Sequence, residues 1–131
     1  LYAKEIGVPE NVIFTETRAE HSTENIYYSY HKAKNLGFNK IALATDPMQS
    51  KLTKKFIRDK MDIKDTIDLI PFVIETLKKI ELEMIDPPIN DSIAFDSTFV
   101  SIKDRESNMK RWRGTLGKNI NKDYYANGKT E

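Results

Sequence analysis

Apolar residues in this chain come in short runs divided by polar turns, and the runs alternate between two periods. Val12-Ile13-Phe14, Ile41-Ala42-Leu43-Ala44 and Asp68-Leu69-Ile70-Pro71-Phe72 are brief and continuous, as in strands buried on both faces. Between them the spacing changes to three or four residues. Leu1 to Ile6 reads as a short helix ended by Gly7, with Pro9 close behind. A second helix, capped by Ser22 or Thr23, sets Ile26, Tyr30 and Ala33 on one face and stops at Gly37. A third opens at Pro47, well placed in a first turn, and carries Leu52, Phe56 and Ile57 as its apolar stripe.

Helix and strand therefore alternate three times, which argues for parallel strands joined by crossover helices. The expected fold is α/β: a Rossmann-like three-layer sandwich with a mainly parallel sheet. Three strands are few for such a sheet, and Leu1 is not a methionine. The expectation is that N-terminal strands lie upstream, and that residues 1–120 form the C-terminal portion of one domain. Past residue 73 the pattern weakens. Ile74 to Met84 is compatible with a helix, broken by Asp86-Pro87-Pro88. Ile89 to Ile102 reads as a loop with a strand-like Phe99-Val100. Asp104 caps a last helix through about Arg113, and residues 121–131 read as a frayed tail.

Charge alters this picture little. Lys and Arg number 21 against 20 Asp and Glu, a net charge of +1. So even a balance gives no global attraction to nucleic acid, and none is expected as a partner. No run reaches the roughly 20 apolar residues of a membrane helix, so membrane attachment is expected only through an upstream segment. Cysteine is absent, which removes disulfides and thiolate metal sites.

Two polar turns carry the candidate chemistry. The first runs from Glu16 to Asn25 and leads into the second helix. Helix N-termini present unpaired N–H groups and the positive end of the helix dipole, and anions settle there. His21, Ser22 and Asn25 are candidate ligand contacts, and Glu16 and Glu24 candidate proton carriers. The ordinary alternative is a helix cap in a solvated loop. The second turn, Thr45-Asp46-Pro47-Met48-Gln49-Ser50-Lys51, leaves the Ile41–Ala44 strand. Thr45, Gln49 and Ser50 offer polar contacts, Lys51 a positive charge, and Asp46 either a contact or an N-cap. In an open parallel sheet both turns would open on the rim at the carboxyl ends of the strands, where ligands bind. No metal-ligand spacing stands out.

These two turns resemble the YdcF/SanA/ElyC-like bacterial domain family, a domain of unknown function. That family shows Glu, then Ser or Ala, then Asn-Thr, then Glu-Asn in the first turn. Here Glu16, Ala19, His21-Ser22 and Glu24-Asn25 occupy those places, after a similar Gly7-Val8-Pro9 and Ile13-Phe14. In the second turn Thr45 matches, but Met48, Gln49 and Leu52 stand where the family has an aromatic, a histidine and an arginine. The resemblance covers residues 1–73. It implies a Rossmann-like sheet, an anionic or nucleotide-like small-molecule site and a link to the bacterial cell envelope; cofactor and substrate stay open. Gln49 cannot serve as an acid or base, nor Leu52 as a phosphate clamp, so a non-catalytic binding module or membrane-associated scaffold is the alternative.

Lys110-Arg111-Trp112-Arg113 is read as cations at a helix end with Trp112 packed on the body, and His31 as a surface residue.

Overall fold

The computed structural model describes residues 1–63, 67–80, 86–94 and 96–129. The chain is mixed α/β. Its helices are α1 (Tyr2–Glu5), α2 (Ser22–Asn35), α3 (Pro47–Lys60), α4 (Ile74–Ile80), α5 (Ile102–Arg105) and α6 (Asn108–Thr115), and its strands are β1 (Ile41–Thr45) and β2 (Ile67–Pro71). The strands run parallel, with Ile41 opposite Ile67 and Thr45 opposite Pro71.

Where period and punctuation agreed, the elements formed. Gly7 and Gly37 take φ of 92° and 91°, the left-handed region in which glycine ends a helix without a steric cost. Pro47 begins α3, and the Asp46 carboxylate accepts from the N–H groups of Met48 and Gln49, both at 2.9 Å.

The core lies between α2, α3 and one face of the strand pair. Ile26 and Tyr30 of α2, Phe56 of α3 and Met61 are buried together, with Ile41, Leu43 and Ile67 packed against them. The other face of the sheet is open: Ala42, Ala44, Asp68 and Ile70 are exposed. Exposed apolar residues continue from there through Phe72, Val73, Ile74, Leu77 and Ile80.

Several expectations are corrected. Val12–Phe14 is not a strand. Residues Glu10–Val12 make a 3-10 turn, the chain then runs extended, and no ladder forms because the described sheet is β1 and β2 alone. Val12 and Phe14 stay exposed. Leu52 is not in the core. The inner stripe of α3 is Ser50, Thr53 and Phe56, and Thr53 satisfies its hydroxyl by donating to the Gln49 carbonyl at 2.7 Å. A small hydroxyl bonded back onto its own helix is cheap to bury, so the polar letters hid the stripe. No strand includes Phe99-Val100, and Phe99 is exposed. The expected helix through Met84 is described only to Ile80; its remainder lies outside the described residues, as do residues 130–131 of the expected tail.

The last helix is two helices. Glu106 adopts extended backbone (φ −126°, ψ 138°) and ends α5, and Ser107 caps α6. The tail is packed. Tyr124 and Tyr125 lie with ring centres 5.3 and 5.9 Å from that of Tyr28, which is 2% exposed. Asn35 donates to the Tyr125 carbonyl at 2.8 Å, and the Asn121 N–H donates to the Tyr28 hydroxyl at 2.8 Å. So α2 is covered on two sides: by α3 and β1 through Ile26 and Tyr30, and by the C-terminal arm (residues 101–129) through Thr23, Glu24 and Tyr28.

Phe56 and Leu52 offer a direct check on this burial. Phe56→Ala is expected to cost about 3–5 kcal/mol in urea denaturation, as for a large core side chain. Leu52→Ala, one turn earlier, is expected to change stability by no more than about 0.5 kcal/mol.

Candidate functional site

His21, not Ser22 or Thr23, is the N-cap of α2. Its extended backbone points the ring into the seam between α2 and the C-terminal arm, where it is 9% exposed. Nδ1 lies 3.0 Å from Glu24 Oε1, and Nε2 lies 3.0 Å from Glu106 Oε2. The second oxygen of Glu24 accepts from the N–H groups of Glu20 (2.8 Å) and His21 (3.3 Å), which fills free donors at the helix start. The Lys110 ammonium stands 2.7 Å from the second oxygen of Glu106, one turn along. Each ring nitrogen of His21 thus faces one carboxylate oxygen.

The Glu106 carboxyl is held below its ordinary value, first by Lys110 and then by the charge of His21, against a burial cost that acts the other way. Lys110 is raised in return. Thr23 adds a hydroxyl bond to the Gly114 carbonyl on α6. Gly114 has to be glycine: a Cβ there would fall 2.2 Å from His21 Cδ2.

Glu16 is equally committed. Its carboxylate accepts from the N–H groups of Arg18 (2.8 Å) and Ala19 (3.0 Å) and from the Tyr125 hydroxyl (2.8 Å). Burial, then this carboxylate, pushes the Tyr125 hydroxyl up to about 12. The Arg18 guanidinium covers the Tyr124 ring at 4.8 Å. Glu16 therefore ties the first turn to the arm through Tyr125, and Glu24 holds the turn itself through Glu20 and His21.

The remaining candidates divide. A cleft of about 340 Å³ at the carboxyl end of β1 is lined by Ser22 and Asn25 from the start of α2, Thr45 from β1, and Gln49 and Thr53 from α3. Ser22 and Asn25 of the first turn and Thr45 and Gln49 of the second thus line one cleft, while His21 and Glu24 of the first turn do not. Asp46 spends its carboxylate on the α3 cap, Ser50 is buried on the inner stripe, and exposed Lys51 does not line the cleft. His21 lines a separate cleft of about 300 Å³ with Arg18, Lys110, Asn119 and Asn121. Among the described residues no group of three or more His, Asp or Glu is arranged to hold a metal ion.

Two functional-looking residues were missed. Glu106 was read as helix interior, and its only sequence signal was Ser107, a good cap placed directly after it. His31 is half-buried between Tyr27 (ring centres 4.3 Å apart) and Tyr30 (5.1 Å), and burial lowers its affinity for a proton. Trp112 is exposed rather than packed on the body. No family model, curated protein or solved structure matches the chain.

Two measurements test this seam. Gly114→Ala is expected to cost about 2 kcal/mol or more in chemical denaturation, because a rigid buried ring has to move. A folded-state carboxyl held low stabilises fully above its unfolded value, 4.5 for Glu106, and the benefit disappears as pH falls through the lower folded value. The stability gap between wild type and Glu106→Gln should thus be widest near neutrality and narrow below about pH 4.5. A gap that is constant with pH would contradict the assignment.

Proposed function

We propose that this chain is a ligand-binding α/β module that takes a small anionic or nucleotide-like molecule at the carboxyl end of β1 and does not itself transform it. The observation that carries the reading is the cleft in which Ser22, Asn25, Thr45 and Gln49 meet. Two 14-residue helices, α2 and α3, begin beside it; Asp46 already caps the Met48 and Gln49 N–H groups of α3 and Glu24 the start of α2, so the ligand contacts rest on side chains. Ser22 and Thr45 supply hydroxyl donors, and the Asn25 and Gln49 amides supply both donors and acceptors. The absence of turnover follows from chemistry. Glu16 and Glu24 already hold backbone N–H groups and neighbouring side chains, and Gln49 carries no titratable proton.

The finer architecture in this proposal is a Rossmann-like three-layer sandwich. Parallel sheets are covered on both faces, and here Ala42, Ala44 and Ile70 present an uncovered face on which a third layer would pack. Kinship with YdcF/SanA/ElyC-like proteins, and with it a place near a bacterial envelope, is part of the same proposal and rests on Glu16, Ala19, Glu24, Asn25 and Thr45.

A thermal-shift panel of nucleotides and sugar phosphates tests the reading. At least one compound should raise Tm in a concentration-dependent way, and Thr45→Val with Gln49→Ala should remove that rise without lowering the ligand-free Tm by more than a few degrees. No response to any compound, or a response indifferent to both substitutions, would sink the proposal, and release of product from a bound compound would overturn its non-catalytic half.

A further inference from the structure

The near-zero net charge hides a segregation. Across residues 47–60 stand Lys51, Lys54, Lys55, Arg58 and Lys60 against Asp59 alone. Across 107–122 stand Lys110, Arg111, Arg113, Lys118 and Lys122, with no acidic residue. These two stretches hold ten of the 21 cationic residues and one of the 20 acidic ones, which leaves 11 cationic against 19 acidic residues elsewhere.

The fold brings the end of α6 and the residues after it against Leu52, Phe56 and Lys60 of α3. A groove of about 420 Å³ between α3 and the end of α6 has Leu52, Phe56 and Leu116 as its apolar lining, with Lys55, Asp59 and Lys60 at its edges. A neighbouring groove of about 350 Å³ shares Phe56, Lys60 and Leu116 and adds Lys118 and Lys122. Apolar side chains also stand out from both helices. Met48 and Leu52, four residues apart, are neighbours on α3; Met109, Trp112 and Leu116, at spacings of three and four, are neighbours along α6. All five are exposed, Trp112 at 57%, and the Lys118 ammonium lies 5.7 Å from the Trp112 ring centre.

We infer that this basic, apolar-studded face docks on an anionic phospholipid surface. The cations meet the headgroup phosphates and the apolar side chains enter the interfacial layer, the combination by which a surface helix binds a membrane without crossing it. Tryptophan suits that depth, with an apolar body and one N–H donor. Nucleic acid would engage the cations but gives five exposed apolar side chains little to bury against. A single acidic partner helix seated in the groove would leave Met48 and Met109 in water, whereas a bilayer interface accepts the whole face. This inference does not depend on the cleft at β1.

Trp112 is the single tryptophan, so its emission reports from α6, beside Lys118. With the full chain and vesicles of equimolar phosphatidylglycerol and phosphatidylcholine, we expect a blue shift of Trp112 emission and co-sedimentation. Both should be absent with phosphatidylcholine alone and lost in high salt. Arg111→Glu with Lys118→Glu should weaken co-sedimentation on the order of tenfold or more, since each basic residue adds appreciably to such binding. Leu52→Asp, at a solvent-facing position, should weaken it with an unchanged circular dichroism spectrum. No blue shift, equal binding to neutral vesicles, or retention of binding in Leu52→Asp would overturn the inference. So would binding to duplex DNA or to an acidic amphipathic peptide without any response to anionic vesicles.

Discussion

The His21 imidazole, held between Glu24 and Glu106, fixes where the C-terminal arm can sit, and the other contacts of the arm agree with that position. Taking two carboxylates and a ring out of water is costly and is repaid only when each polar atom has a partner in good geometry. Here Glu24 is shared between the ring and two backbone N–H groups; Glu106 gives one oxygen to the ring, and its other, buried oxygen has the Lys110 ammonium 2.7 Å away as an ion pair without hydrogen-bond geometry. Such a network tolerates little sliding. It also explains a glycine in the last turn of α6: the helix backbone has to approach the ring more closely than any side chain would permit.

Legibility in the sequence followed the strength of local signals. The helix around Ile26 and Tyr30, the Ile41–Thr45 strand and the Asp46-Pro47 start of α3 each combined a clear period with a chemically specific boundary, and their parallel pairing followed. The Val12-Ile13-Phe14 run had composition without a neighbour, and a strand is a property of pairs. The inner stripe of α3 was hidden because Ser50 and Thr53 are polar letters in buried places. The cleft shared by Ser22, Asn25, Thr45 and Gln49 was legible only on the side of the second turn, which leaves β1 at its carboxyl end; the strand expected before the first turn does not form. The His21–Glu106 contact joins residues 85 positions apart, and no local pattern encodes it.

Net charge is a sum, and sums conceal arrangement. The balance that argues against a polyanion partner for the chain as a whole coexists with two stretches, 47–60 and 107–122, that carry one acidic residue between them, because the acidic excess lies elsewhere in the sequence. The open side of the β1–β2 pair is a different kind of surface. It carries Asp68 and Ile70 and leads into the exposed apolar residues of α4, where Lys78 and Lys79 are the cations, fewer than along the α3–α6 face. One surface has a charge signature that selects an occupant, and the other is defined by shape and apolarity alone.

The break at Glu106 also bears on the order in which the molecule assembles. It divides what might have been one longer helix into pieces of four and eight residues, α5 and α6. Helices that short do not persist alone in water. They acquire order by docking on α2, across a separation that makes chain closure entropically expensive. The arm is thus a follower in folding, waiting on a template built near the start of the chain, and its amides should report local opening before those of the α2–α3 core do.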